Sequence, residues 1–227
     1  RQMCIRDSFH IVRARHEGRT FGGILSIGVQ SLITELSSGI VVLAFNIIIL
    51  GLAGNTGVAA YAVIANTSIV AVSIFTGIAQ GGQPLISAAH GIGDKDRLRA
   101  VLRYSIISQL VIALMVYLAI AFFTTPIAAI FNSEHIDSLQ RMAEDGMKIY
   151  FTGLFFSGFN IIISAFFAAS EKIIPAQTIT ILRGFALIVP MAFIMSKAAG
   201  LTGVWLAYPV TEFIVAAISI IFYIRNR

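Results

Sequence analysis

The sequence predicts an all-α polytopic membrane protein, and three observations carry that reading. Hydrophobic residues make up 57% of the 227-residue chain, charged residues only 12%, and the mean hydropathy is +0.88, whereas a soluble domain is about a quarter charged. The apolar residues gather into runs of about twenty or more, the length a helix needs to cross the roughly 30 Å hydrocarbon core. None of the runs shows the roughly ten-residue alternation of a membrane barrel strand.

Arg1 to Ser8 has no apolar periodicity and no stretch suited to a signal peptide, and residues 1–20 stand apart from the spans. They read as a non-native or cytoplasmic linker segment, in which Gln2 to Asp7 (QMCIRD) has the look of translated adaptor sequence. Residues 21–227 form the expected transmembrane lobe, with six helices at about 22–50, 58–90, 98–123, 146–170, 175–197 and 204–224. The first two exceed the membrane thickness and are expected to tilt or project. Gly51 to Gly57, Gly91 to Asp94 and Gly200 to Gly203 supply the glycine-rich turns between spans. The connection from Thr124 to Asp145 is polar and acidic. Its amphipathic pieces, 126–131 and 136–142, read either as short interfacial helices or as a solvated loop with a frayed helix start.

Basic residues divide unequally among the connections. Arg13, Arg15 and Arg19 precede the first span, Lys95, Arg97, Arg99 and Arg103 follow the second, Lys172 follows the fourth, and Arg225 and Arg227 end the chain. The alternate connections hold Arg141, Lys148 and Lys197, the first two among Glu134, Asp137, Glu144 and Asp145. Such a bias puts the richer set on the cytoplasmic side, so an inner-membrane protein with a cytoplasmic C-terminus is expected. The pI of 9.7 then reports orientation rather than nucleic-acid binding.

Several chemistries find no support. A lone cysteine, Cys4, excludes a disulfide framework and a zinc ribbon. His10, His16, His90 and His135 have no metal-ligand spacing. Gly91-Ile92-Gly93-Asp94 matches the GxGD of intramembrane aspartyl proteases, but no span holds a second aspartate in its interior. A phosphate-binding G-x-x-x-x-G-K-[ST] is absent as well. Neither an enzyme, a catalytic residue nor a bound cofactor is expected.

Ionisable residues inside spans mark pathways or partners by default, and three occur: Glu35, Arg183 and Glu212. Glu35 lies about thirteen residues past Gly22, roughly 20 Å along the helix. At helical spacing it shares a small, polar stripe with Gly28, Ser31, Ser38, Gly39, Val42 and Asn46, a face expected to turn inward to protein or water. Two roles fit Glu35: a carboxylate that alternately binds a proton and a cation, or a protonated acid hydrogen-bonded between helices. Asn66, Ser73, Thr76, Gly77, Gln80, Gln83 and Ser87 repeat the stripe in the second span. There Pro84 deprives the Gln80 carbonyl of its usual partner, and either a kinked helix beside a cavity or small-residue packing follows. Ser157 and Asn160 lie on a milder stripe of the fourth span. Arg183 reads as an interfacial anchor or as a partner for Glu35 or Glu212. Glu212, with Trp205, Tyr208 and Ser219 on its face, is a second acidic candidate.

Taken in order, Glu35-Leu36-Ser37-Ser38-Gly39, Phe45-Asn46, the run Gly77 to Ser87 (GIAQGGQPLIS), the basic run Asp94 to Arg103, Leu182-Arg183-Gly184 with Pro190, and Gly200 to Trp205 leading to Pro209 and Glu212 resemble the multidrug and toxic compound extrusion (MATE) family from about Phe21 to Ile224. The resemblance implies the C-terminal lobe of a twelve-helix secondary transporter that exports drugs or organic cations by proton or sodium antiport, together with an N-terminal lobe of the same chain. It implies that Glu35 is the coupling carboxylate, and the polar stripes around it lead us to expect Asn46, Gln80, Gln83 and Asn160 to line the substrate cavity. In the sodium-coupled subgroup an aspartate and a tyrosine of the fourth helix join that carboxylate; here the region offers Ser157 and Asn160. A lipid-linked oligosaccharide flippase of related fold and a non-transporting structural membrane protein are the alternatives.

Overall fold

A computed structural model describes the backbone of residues 18–225 and the side chains of residues 36–225. Among these, α1 spans Gly18–Gly91, α2 Lys95–Phe122, α3 Thr124–Phe131, α4 Asp137–Tyr150, α5 Leu154–Ala169, α6 Ile173–Ile181 and α7 Ile188–Arg225. A 3-10 turn at Phe151–Gly153 joins α4 to α5, and a π turn at Leu182–Ala186 joins α6 to α7. No strand occurs among the described residues.

Four helical stretches are long and apolar enough to cross a membrane, and two of these hold 56 and 53 residues. At 1.5 Å per residue each would be about 80 Å long, far more than one crossing. Both in fact double back. Gly54 adopts φ 63°, ψ −159° inside α1, and the rings of Phe45 and Tyr61 stack with centroids 5.2 Å apart, although a straight helix would separate them by about 24 Å. In α7 the break falls at Ala199 and Gly200 (φ 58°); a Cβ on Gly203 would strike the Met195 carbonyl, a contact only a reversal allows. Two hairpins and two single spans make six crossings, as the sequence predicts.

Each reversal is tighter than the glycine-rich segments suggest. Residues 51–57 and 200–203 are helical apart from the break itself, so the expected seven-residue turn contracts to the one residue with left-handed φ, a conformation glycine adopts without penalty. Backbone dihedrals also remain helical through Pro84, where a kink is one of the expectations.

The connection between α2 and α4 is built rather than loose. Asn132 Oδ1 accepts from the Ile136 N–H at 2.9 Å, its Nδ2 donates to the Ile136 carbonyl at 3.1 Å, and Gln140 Nε2 donates to the Thr125 carbonyl at 3.0 Å. Helix α4 begins at Asp137, nine residues before the expected start of the span. Its Leu139, Ala143, Gly146, Met147 and Tyr150 are buried, while Asp137, Arg141 and Asp145 lie outside the buried set. Asp94 proves to be a helix cap: its carboxylate accepts from the Arg97 N–H at 2.9 Å, which accounts for the GxGD string.

Helix α5 is the hub, packing on α1, α2, α6 and α7. Aromatic rings fill the core beside it: Tyr61 lies between Phe45 and Trp205, and Tyr150 stacks flat on Tyr208 at 4.2 Å. Gly146 and Gly153 leave room for Trp205 and Tyr208, since a Cβ would sit 3.0 Å and 2.7 Å from those rings. The outer surface is apolar, with Ile47, Phe122 and Ile174 each more than 60% exposed, as lipid contact permits.

Candidate functional site

Two sets of polar groups stand out, one sealed inside the lobe and one on its surface. The sealed set begins with the π turn. Pro190 has no N–H, and its ring crowds the carbonyl four residues back, at Ala186. The preceding turn widens to five residues, with the Leu187 N–H donating to the Leu182 carbonyl at 3.0 Å. A π turn shifts the register of the side chains it carries, and Arg183 sits within it.

Arg183 Nη2 lies 2.9 Å and Nε 3.3 Å from Glu212 Oε1, and Nη2 also donates to Ser157 Oγ at 2.8 Å. The other carboxylate oxygen, Oε2, accepts from Asn160 Nδ2 at 2.7 Å, and the same Nδ2 donates to the Glu212 backbone carbonyl at 2.9 Å. Ser219 Oγ closes the set by donating to Asn160 Oδ1 at 3.2 Å. Glu212 is 2% exposed, and Ser157, Asn160 and Ser219 are fully buried. An ion pair taken from water in this way holds only when its remaining lone pairs are satisfied. Here each carboxylate oxygen has a donor, and the net charge of the pair is zero. Of the two expected roles for Arg183, the structure gives that of Glu212's partner. Asn160 holds the carboxylate rather than facing open space.

Beside this set, the Tyr208 hydroxyl and Thr211 Oγ1 are buried without a hydrogen-bond partner among the described residues. Gln109 was not singled out from the sequence. It is fully buried on α2, with Nε2 3.4 Å from the Phe155 carbonyl, and it packs where a Cβ on Gly158 would otherwise sit. Ser105 lies one helical turn before Gln109 and Ser108 beside it, but no longer polar stripe continues along α2 to mark the position.

The surface set lies along the α1 hairpin. The side chain of Glu35 lies outside the described residues; the helix backbone passes through it, and two residues on, Ser37 is buried with its Cβ 3.5 Å from where a Gly184 Cβ would sit. Ser38, Gly39 and Val42 are exposed and Asn46 half-buried, while Ser37, Phe45 and Ile49 face the lobe's core. The described part of the stripe, Ser38 to Asn46, therefore turns away from the lobe's own interior. On the returning arm Asn66, Ser73 and Gln80 are exposed and Gln83 half-buried, and nothing stands within 4 Å of a Cβ placed on Gly39, Gly77 or Gly81. Their polar groups bond along the helix: Asn66 Nδ2 donates to the Ala62 carbonyl at 2.8 Å, Ser73 Oγ to Ile69 at 2.8 Å and Thr76 Oγ1 to Val72 at 2.9 Å. Glu35 and Ser73 are both nineteen residues from the reversal at Gly54, so the antiparallel arms bring them to similar depth. No group of three metal-ligating side chains occurs among the described residues.

The family model MatE matches residues 31–194, which holds both polar sets except for the second arm of α7. The chain belongs to the MatE family. The Multidrug export protein MepA of Staphylococcus aureus (strain MSSA476) is 26% identical over 222 residues, which cover 97% of this chain and 48% of that protein. MepA of Staphylococcus saprophyticus is 26% identical over 207 residues, covering 90% of this chain and 45% of that protein. This MatE chain thus spans about half the length of the curated relatives it matches. Among solved structures, an outward-facing multidrug resistance MATE family transporter of the MOP superfamily superposes with TM-score 0.85 at 21% identity, over 96% of this chain and 49% of that one. An inward-facing conformation superposes with TM-score 0.85 at 20% identity, over 94% and 51%.

Proposed function

We propose that the chain forms one lobe of a secondary transporter that exports drugs or organic cations by cation-coupled antiport, proton or sodium, in the cytoplasmic membrane with the C-terminus inside. The observation that carries this reading is the α1 hairpin's exposed polar face on a MatE-family chain that spans about half the length of the curated relatives it matches. Amides and hydroxyls on an outer surface otherwise made for lipid need another protein surface or water opposite them. A second lobe facing the hairpin supplies both, and the space between becomes the substrate cavity. In this reading Asn46, Gln80 and Gln83 line the cavity and Glu35 exchanges the coupling ion for substrate. Asn160, Glu212 and Arg183 serve instead as the internal brace of the lobe. The near-equal fit to outward-facing and inward-facing neighbours supports a lobe that rocks as one body.

The test is dye efflux from cells expressing the complete protein. Glu35→Gln keeps the shape and removes the charge; efflux is expected to fall at least tenfold at unchanged expression. Efflux equal to wild type would remove Glu35 from the mechanism. The flippase alternative gains nothing from Arg183, whose charge is already committed to Glu212.

A further inference from the structure

At the end of the lobe opposite the two tight reversals lie two adjoining hollows that share Arg99 and Tyr223. The larger, about 480 Å³, opens between α2, α5 and the end of α7, with an apolar wall that includes Leu102, Ile107, Phe159 and Ile163. The smaller, about 240 Å³, is bordered by Lys95 and Lys172 and by Ser170. Ser170 is 3% exposed, and its hydroxyl has no hydrogen-bond partner among the described residues. Arg99 and Arg103 both border the larger hollow and, four residues apart, share one face of α2, which Ile106 and Ile107 continue toward the membrane interior. Arg99 meets Asp96 only at 3.7 Å, with the aspartate almost fully exposed.

We infer that this groove binds an anionic glycerophospholipid, its phosphate at Arg99 and Arg103 and an acyl chain along Ile107, Phe159 and Ile163. The combination of an apolar slot with guanidinium groups at its mouth fits a molecule with an apolar tail and an anionic head. A zwitterionic lipid satisfies the slot and offers a phosphate, but its ammonium group offsets the attraction to the mouth, and a free phosphate satisfies the mouth but leaves the slot empty. Basic pockets between spans at the cytoplasmic surface hold anionic headgroups in this manner, and guanidinium forks suit phosphate oxygens. The charge bias along the sequence puts this end of the lobe in the leaflet where such lipids meet it. The site is independent of the transport reading, since it lies on α2, α5 and α7 and uses no residue of the α1 stripe.

Native mass spectrometry on the complete protein in detergent tests it, with dioleoyl phosphatidylglycerol, dioleoyl phosphatidylcholine and glycerol phosphate as separate probes. Phosphatidylglycerol is expected to bind at least tenfold tighter than phosphatidylcholine. The double variant Arg99→Gln, Arg103→Gln changes only surface side chains and should lose most of that preference. Arg99→Lys, Arg103→Lys should retain it in good part, and Ile107→Trp, at an exposed position lining the slot, should weaken both lipids. Equal binding of the two lipids to the wild type, an undiminished preference in the glutamine variant, or glycerol phosphate competing as well as the lipid would each overturn the proposal.

Discussion

The lobe carries two polar regions of similar composition and opposite construction. Around Glu212, side chains from α5, the π turn and α7 bond to one another across helices, and every member but Arg183 is nearly or fully buried. Along the α1 hairpin, Asn66, Ser73 and Thr76 bond back to their own helix, and Asn66, Ser73 and Gln80 are exposed on its outer face. The contrast teaches that polar residues in a span are not functional merely by being there. Those that spend their hydrogen bonds on neighbouring helices hold the lobe together, whereas those satisfied within one helix remain available to a ligand, an ion or a second lobe.

The comparison breaks most readily at Glu212. Glu212→Ala strands Arg183 in the interior, and loss of one partner of a buried pair costs about 3–5 kcal/mol, measurable as a large drop in the thermal midpoint in detergent. Replacing both partners, Arg183→Met with Glu212→Leu, should recover most of that loss, because the desolvation of both charges disappears with them. If the double variant is as unstable as the single one, the pair is not the self-contained brace described. Asn160→Leu removes the donor to Oε2 and orphans a buried charged oxygen, for an expected cost of about 1–3 kcal/mol. Ser219→Ala removes only the donor to Asn160 and should cost about 1 kcal/mol.

The open face should behave in the reverse sense. Gln80→Ala and Ser73→Ala touch exposed positions and should move stability by no more than about 0.5 kcal/mol, while Gln80→Ala lowers efflux of the best substrate severalfold. A stability loss at Gln80 equal to that at Asn160 would erase the distinction between the two regions.

Six crossings were legible in the sequence because apolar run length and glycine punctuation are local quantities. The chain interior of the Glu212 set was half legible. Helical spacing puts Tyr208 and Ser219 on the face of Glu212, and Ser157 and Asn160 on one stripe, but which stripe meets which depends on the packing of three helices. The π turn is silent for the same reason: Pro190 signals a disturbed turn, and only the neighbouring contacts decide that Arg183 is the residue it carries. The early start of α4 was obscured by its five charged residues, which lower its hydropathy although they leave the other side of the helix buried. For the described part of the α1 stripe, Ser38 to Asn46, helical spacing puts the residues on one face, but the direction of that face relative to the lobe's core is not a property of one helix.

The reversal at Gly54 has a mechanical meaning. A turn made by one residue has no slack: α1's two arms cannot slide past each other or splay at that end without unwinding a helix. With Gly57 pressed against Ile49 and Ala53, the fork is stiff at its base, and any force on the outgoing arm is delivered to the returning one. A tilt of one arm near the reversal is therefore passed to the other, and the two arms behave as one element rather than as two.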